Sequence, residues 1–174
     1  TVMPALGFET LHGAEDFADA ERCGPYVADA AVARYIAKLL QGSNEPRFVF
    51  AVTIENHGPW TPDRLPNHGP SPRELYFQHL RHADHMLKLL HELNTKLDRP
   101  VILCCYGDHA PVLDYDFAFE SVPMTDYLIA ATTSIGDNKI GKHIKCAHEL
   151  AAILLSLAGD TSLPAKLHQT PESA

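Results

Sequence analysis

A carboxylate and an imidazole stand side by side in Gly107-Asp108-His109-Ala110-Pro111, directly after the apolar run Val101-Ile102-Leu103-Cys104-Cys105-Tyr106. Polar side chains of this kind are seldom buried without a partner, and Asp and His are both good ligands for a divalent metal. The run follows Arg99-Pro100, is too short for a helix and suits a buried, central parallel strand. Gly107 is expected to turn the backbone, carrying Asp108 and His109 into the crevice beyond the strand end, where open α/β sheets bind ligands. Taken alone, the pair is also compatible with a helix cap or an internal Asp-His hydrogen bond.

A second apolar and β-branched run, Phe48-Val49-Phe50-Ala51-Val52-Thr53-Ile54, also ends in a polar tip, Glu55-Asn56-His57-Gly58-Pro59-Trp60. Two strands of one sheet would deliver His57, Asp108 and His109 to the same edge, an unlikely coincidence if neither tip had a function. Glu55 lies two residues before His57, so on an extended chain it could orient that imidazole, or simply end the strand. For Trp60, packing that closes the Gly58-Pro59 turn comes first and a flat apolar platform for substrate second.

The elements around these tips alternate. Tyr26 to Gln41 reads as a helix with Gly24-Pro25 ahead of it and Gly42 as its stop. Thr61 to Pro72 is aperiodic and reads as a loop over the site. Ser71-Pro72-Arg73-Glu74 has the capping-box pattern, opening a helix to about Leu97 with Leu80, Ala83, Leu87, Leu90 and Leu97 as its apolar stripe. Asp126 to Thr132 reads as a strand, His143 to Ala158 as a helix stopped by Gly159, and Asp160 to Ala174 as a polar tail. This order implies an α/β fold, a mainly parallel sheet flanked by helices.

Strand, Asn-His-Gly-Pro, helix with an Ala-Asp step at Asp84, and strand ending in Tyr-Gly-Asp-His-Ala-Pro together resemble the alkaline phosphatase and sulfatase superfamily. Within it they resemble the lipoteichoic acid synthase-like branch of phosphoglycerol and phosphoethanolamine transferases and capsule-cluster sulfatase-like proteins. The resemblance runs from about Gly7 to Gly159. It implies Asp108 and His109 as metal ligands and His57 as a group that contacts the transferring phosphate or sulfate. An acidic residue after the first strand and a Thr or Ser nucleophile at a helix start complete the family's site. Neither has a counterpart before Gly7, so residues 1–159 are expected to be the C-terminal part of a sulfatase-like catalytic domain whose N-terminal half is missing.

What the resemblance implies is a metal-dependent phosphoryl- or sulfuryl-group transferase or hydrolase of cell-surface glycopolymer or capsule biosynthesis. A hydroxyl whose pKa the ion lowers attacks phosphorus or sulfur, and a covalent intermediate is resolved by water or by a sugar or glycerol hydroxyl. Carboxylate, imidazole and hydroxyl ligands suit Mn, Zn or Mg alike. The substrate is an anionic phosphate or sulfate ester, and the source is bacterial. The parent protein is expected at the membrane with a periplasmic or extracellular catalytic domain, with a cytoplasmic site left open. The isolated chain is expected to be inactive and to self-associate through an exposed sheet edge. The alternative is a non-catalytic module of this fold that binds a glycan or a protein.

Composition narrows the field. With 174 residues, 45% of them hydrophobic, the chain can build one core. Lys and Arg number 14 against 22 Asp and Glu, a formal charge of -8, which argues against a nucleic-acid surface. No apolar run approaches the roughly 20 residues needed to span a bilayer. The four cysteines, Cys23, Cys104, Cys105 and Cys146, match no zinc-site spacing, and the adjacent pair is expected to pack as small apolar residues on opposite strand faces. His79, His82 and His85 cannot all meet one ion from a single helix, so packing and surface roles are expected for them.

Overall fold

The structure is a computed structural model that describes residues 2–42, 44–65, 71–94, 96–111, 124–132 and 145–159. The chain forms two compact units, Thr1–Leu90 and His91–Ala174.

The first unit opens with a short helix, α1 (Val2–Ala5), and a 3-10 turn at Ala14–Phe17. Two short strands follow, β1 (Arg22–Cys23) and β2 (Tyr26–Val27), paired antiparallel with Cys23 opposite Tyr26. Gly24 makes that hairpin possible, because its φ of 60° is one that other residues adopt at a cost. The hairpin takes up Tyr26 and Val27, so α2 spans Asp29–Gln41 and starts three residues later than its apolar pattern suggested. It packs through small side chains, with Ala31 and Ala33 buried.

The run from Phe48 to Ile54 is not a strand, which corrects the sequence reading. Among the described residues it has no ladder partner, and Phe48, Phe50, Val52 and Ile54 are all exposed. Composition favours a pleated conformation, but a strand exists only where a partner supplies hydrogen bonds. The Phe8 ring lies against this run, 5.9 Å from Phe48 and 6.3 Å from Phe50.

The capping box forms as the sequence requires. Ser71 Oγ accepts the Glu74 amide at 3.2 Å, while Glu74 Oε2 accepts from Ser71 N and from its hydroxyl. From that cap α3 runs over Pro72–Asn94. Its buried positions are Leu75, His79, Met86, Leu90 and Leu93, whereas Leu80 is exposed. Of the expected stripe Leu80, Ala83, Leu87, Leu90 and Leu97, only Leu90 is buried, so the inward face is rotated, and His79 is as fully buried on it as Leu75. The helix also ends before Leu97.

In the second unit β3 (Ile102–Tyr106) pairs antiparallel with β4 (Tyr127–Ala131), with Ile102 opposite Ala131 and Tyr106 opposite Tyr127. Among the described residues both ladders are antiparallel, so the mainly parallel sheet expected from element order is not found there. Parallel neighbours need a crossover connection, whereas an antiparallel pair does not, and element order alone does not choose between them. β3 is half-buried rather than fully buried, Cys104 and Cys105 included.

The last element, α4 (Ala147–Leu157), packs on β3 and is followed by Gly159 at φ 89°. Its first turn is held by Glu149, whose Oε2 accepts the Cys146 amide at 2.6 Å. The expected start at His143 and the tail Asp160 to Ala174 lie outside the described residues. Among the described residues no helix is long and apolar enough to cross a membrane.

Candidate functional site

Asp108 and His109 sit at the exposed tip of β3, in the second unit. The strand end is fastened by its partner segment: Gly107 N donates to Asp126 O at 3.2 Å, and the Thr125 hydroxyl donates to Gly107 O at 2.7 Å. A Cβ on Gly107 would fall 3.1 Å from Thr125 Cβ. Glycine is therefore needed here for close approach of the neighbouring chain rather than for the turn that the sequence suggested.

Asp108 Oδ1 accepts the His109 amide at 3.0 Å. His109 Nδ1 lies 3.0 Å from Ala110 O, and a carbonyl only accepts, so Nδ1 carries a proton and Nε2 is the basic nitrogen. That nitrogen stands 3.8 Å from Asp108 Oδ1, and both side chains are open to solvent. Two ligands of one divalent ion with bonds near 2 Å lie about 3 Å apart, so a modest side-chain rotation brings this pair to ligating separation. The pair thus fits the first two ligands of a metal, with the imidazole already in the correct tautomer.

His57 lies in the first unit. Its Nδ1 donates to Gly58 O at 2.7 Å, which again leaves Nε2 as the basic nitrogen on an exposed ring. The loop that carries it is held by a residue the sequence reading did not single out. The buried guanidinium of Arg64 donates through Nη1 to His57 O and, at 3.2 Å, to Pro59 O, and through Nη2 to Glu55 O. The same guanidinium stacks on the Tyr26 ring with Cζ 4.7 Å from its centroid. Arg64 stands in a 3-10 turn, Pro62–Arg64, so this part of the expected covering loop is an internal brace. Trp60 is buried and meets Tyr76 edge to face at 5.1 Å, the packing role, with its Nε1 lacking a hydrogen-bond partner.

The Glu55 side chain goes elsewhere than His57. It is buried and accepts three donors: Asp29 N at 2.6 Å on Oε2, and His82 Nδ1 at 2.5 Å and His79 Nδ1 at 3.4 Å on Oε1. Its bond to Asp29 N caps the first turn of α2 from a distant point in the chain. Burial works to raise the Glu55 carboxyl, but the hydrogen bonds from His79, Asp29 and His82 outweigh it and hold the pKa at about 2. Nearby Asp29 is itself buried, and burial followed by the charge of Glu55 pushes it up to about 6, against the smaller opposing pull of His82, Thr53 and the Glu55 backbone. Burial, then Glu55, pushes the Cys23 thiol up to about 12. One ligand atom from each of Cys23, Glu55, His79 and His82 lies within 4.8 Å of the others.

The sequence offered a partial signal for this cluster. His79 and His82 are three apart on a helix and share a face, but their partners come from residues 24 or more positions away, which no local spacing reveals. His85, by contrast, is exposed, as expected. Asp84 is also exposed on α3.

Residues 1–159 match the family model described as Sulfatase. The chain is 41% identical over 130 residues to "Capsular polysaccharide biosynthesis protein RkpI" of Rhizobium meliloti (strain 1021), covering 73% of this chain and 24% of that protein. It is 28% identical over 124 residues to the "Putative cyclic beta-1,2-glucan modification protein" of the same organism, covering 65% of this chain and 19% of that protein. The chain therefore spans about a quarter or less of the curated relatives it matches. No solved structure matches it.

Proposed function

The chain belongs to the sulfatase family, and we propose that it is the part of a metal-dependent phosphoryl- or sulfuryl-group transferase or hydrolase that carries Asp108, His109 and His57. The observation that carries this reading is the exposed Asp108-His109 pair at a strand tip, with His109 Nε2 3.8 Å from Asp108 Oδ1. When bound, a divalent metal supplies Lewis acidity toward the ester oxygen and lowers the pKa of a hydroxyl nucleophile. Mn, Zn and Mg all suit such a site.

In this reading Asp108 and His109 hold the ion, and the Nδ1 bond to Ala110 O keeps His109 Nε2 as its donor atom. His57 binds an oxygen of the transferring group or protonates the leaving group through Nε2. Arg64 holds the backbone of that loop so that the ring does not wander. Trp60 flanks the substrate groove from its packed position. The acidic ligand and the Ser or Thr nucleophile come from sequence outside this segment. The match to a capsular polysaccharide biosynthesis protein supports a glycopolymer or capsule substrate bearing a phosphate or sulfate ester, in a bacterium.

The test is turnover by the whole protein of a phosphodiester and of a sulfate ester, before and after chelation. Metal-dependent release from either ester is the expected result. Metal-independent release, or none from both esters, would refute the assignment.

A further inference from the structure

We propose that Cys23, Glu55, His79 and His82 form a second metal centre, a tetrahedral zinc site inside the first unit and separate from the Asp108-His109 pair. The four donors come from three places in the chain: β1, the segment before the His57 loop, and one face of α3. Their ligand atoms already lie within 4.8 Å of one another. Around zinc, with bonds of about 2.0 Å to N and O and 2.3 Å to S, neighbouring ligands are separated by about 3.3 to 3.6 Å. The His79-Glu55 separation of 3.4 Å has that value, and the 2.5 Å His82-Glu55 hydrogen bond would open by under an ångström as the ion replaced its proton.

The donor set selects the metal. Thiolate and imidazole ligands suit zinc and disfavour Mg and Ca, which take oxygen. The ligand charges balance the ion: one thiolate, one carboxylate and two neutral imidazoles neutralise a divalent cation. On binding, the Cys23 thiol proton leaves to solvent and each imidazole proton moves from Nδ1 to Nε2.

An independent observation points the same way. His79 Nε2 is buried with no hydrogen-bond partner. The Thr53 side chain and the Glu55 backbone stand near the buried Asp29 carboxylate, but neither of its oxygens meets hydrogen-bond geometry. Asp29 interacts electrostatically with Cys23, Glu55 and His82, so a second buried acid faces this same cluster. A cation among these groups offsets the repulsion of two carboxylates, Asp29 and Glu55, that meet out of water.

The site is structural in placement. Glu55 ties α2 and α3 together, and its backbone carbonyl is one of those held by Arg64. A metal there would fix the root of the His57 loop without touching substrate.

The experiment is cobalt titration of the untagged, chelator-treated 174-residue chain, followed by absorption spectroscopy. One equivalent is expected at this centre, with a thiolate-to-cobalt charge-transfer band. The band should vanish in Cys23→Ser and persist in the Asp108→Ala/His109→Ala double variant, which separates this centre from the proposed catalytic one. His82 is half exposed, so His82→Gln should fold; it should weaken binding on the order of a hundredfold. No thiolate band in the parent chain, its survival in Cys23→Ser, or unchanged affinity in His82→Gln would overturn the proposal.

Discussion

The guanidinium of Arg64 donates to the backbone carbonyls of both Glu55 and His57, two residues whose side chains serve different ends. Glu55 turns inward to Asp29, His79 and His82, while His57 stays at the surface. One buried cation thus couples the packing of the first unit to the posture of a candidate catalytic imidazole.

Replacing that cation should be costly. Arg64→Ala is expected to lose about 3 kcal/mol or more in urea unfolding, because three carbonyls lose a shared charged donor in a buried setting. Arg64→Lys keeps the charge but not the planar fork, and should cost about 2 kcal/mol. A midpoint unchanged in both variants would show that the brace is not formed.

The helix cap offers a smaller and cleaner test. Ser71→Ala removes the acceptor for the Glu74 amide and should lower stability by about 1 kcal/mol. Thermal unfolding of the variant beside the parent chain measures it, and an unchanged midpoint would show that the first turn of α3 is held without Ser71.

The pH response follows from the two buried acids in metal-free protein. The Asp29 pKa rises from 3.8 to about 6 on folding, so its folded form binds the proton more tightly. Its stabilising contribution is full below 3.8 and is lost as pH rises through about 6. Glu55 is the reverse case, lowered from 4.5 to about 2: its contribution is present above 4.5 and lost as pH falls toward 2. Denaturation of chelator-treated protein should therefore show Asp29→Asn more stable than the parent at neutral pH, by about 1 to 3 kcal/mol, with no gain at pH 4. Equal gains at both pH values would contradict the assignment of the pH effect to Asp29.

Self-association is expected of the isolated chain. Phe48 and Val52 are 71% and 73% exposed within an apolar run that has no ladder partner among the described residues. Sedimentation velocity should show a concentration-dependent larger species that Phe48→Lys with Val52→Lys removes. A monomer at all concentrations would contradict this.

Much of this was legible in the residues themselves. The capping box at Ser71, β3 after Arg99-Pro100, β4 near Asp126 and the stop at Gly159 all follow from local chemistry, because each depends on neighbours within a few positions. Asp108 and His109 were visible for the same reason, as polar residues that close an apolar run. What local chemistry does not contain is partnership. The run from Phe48 to Ile54 has strand composition without a partner, β3 and β4 run antiparallel, and Arg64 looks like any surface arginine until its carbonyl partners are known. His79 and His82 likewise gain meaning from Glu55, which from sequence reads as either an orienter of His57 or a strand end and instead turns inward to them.

The most direct test of the central claim is metal content and ester turnover of the whole protein bearing Asp108→Ala or His109→Ala. Each substitution is expected to reduce turnover of the phosphodiester or sulfate ester to background and to remove one metal equivalent, while unfolding midpoints stay near those of the parent protein. Turnover retained in either variant would contradict the claim that these two residues hold the catalytic ion.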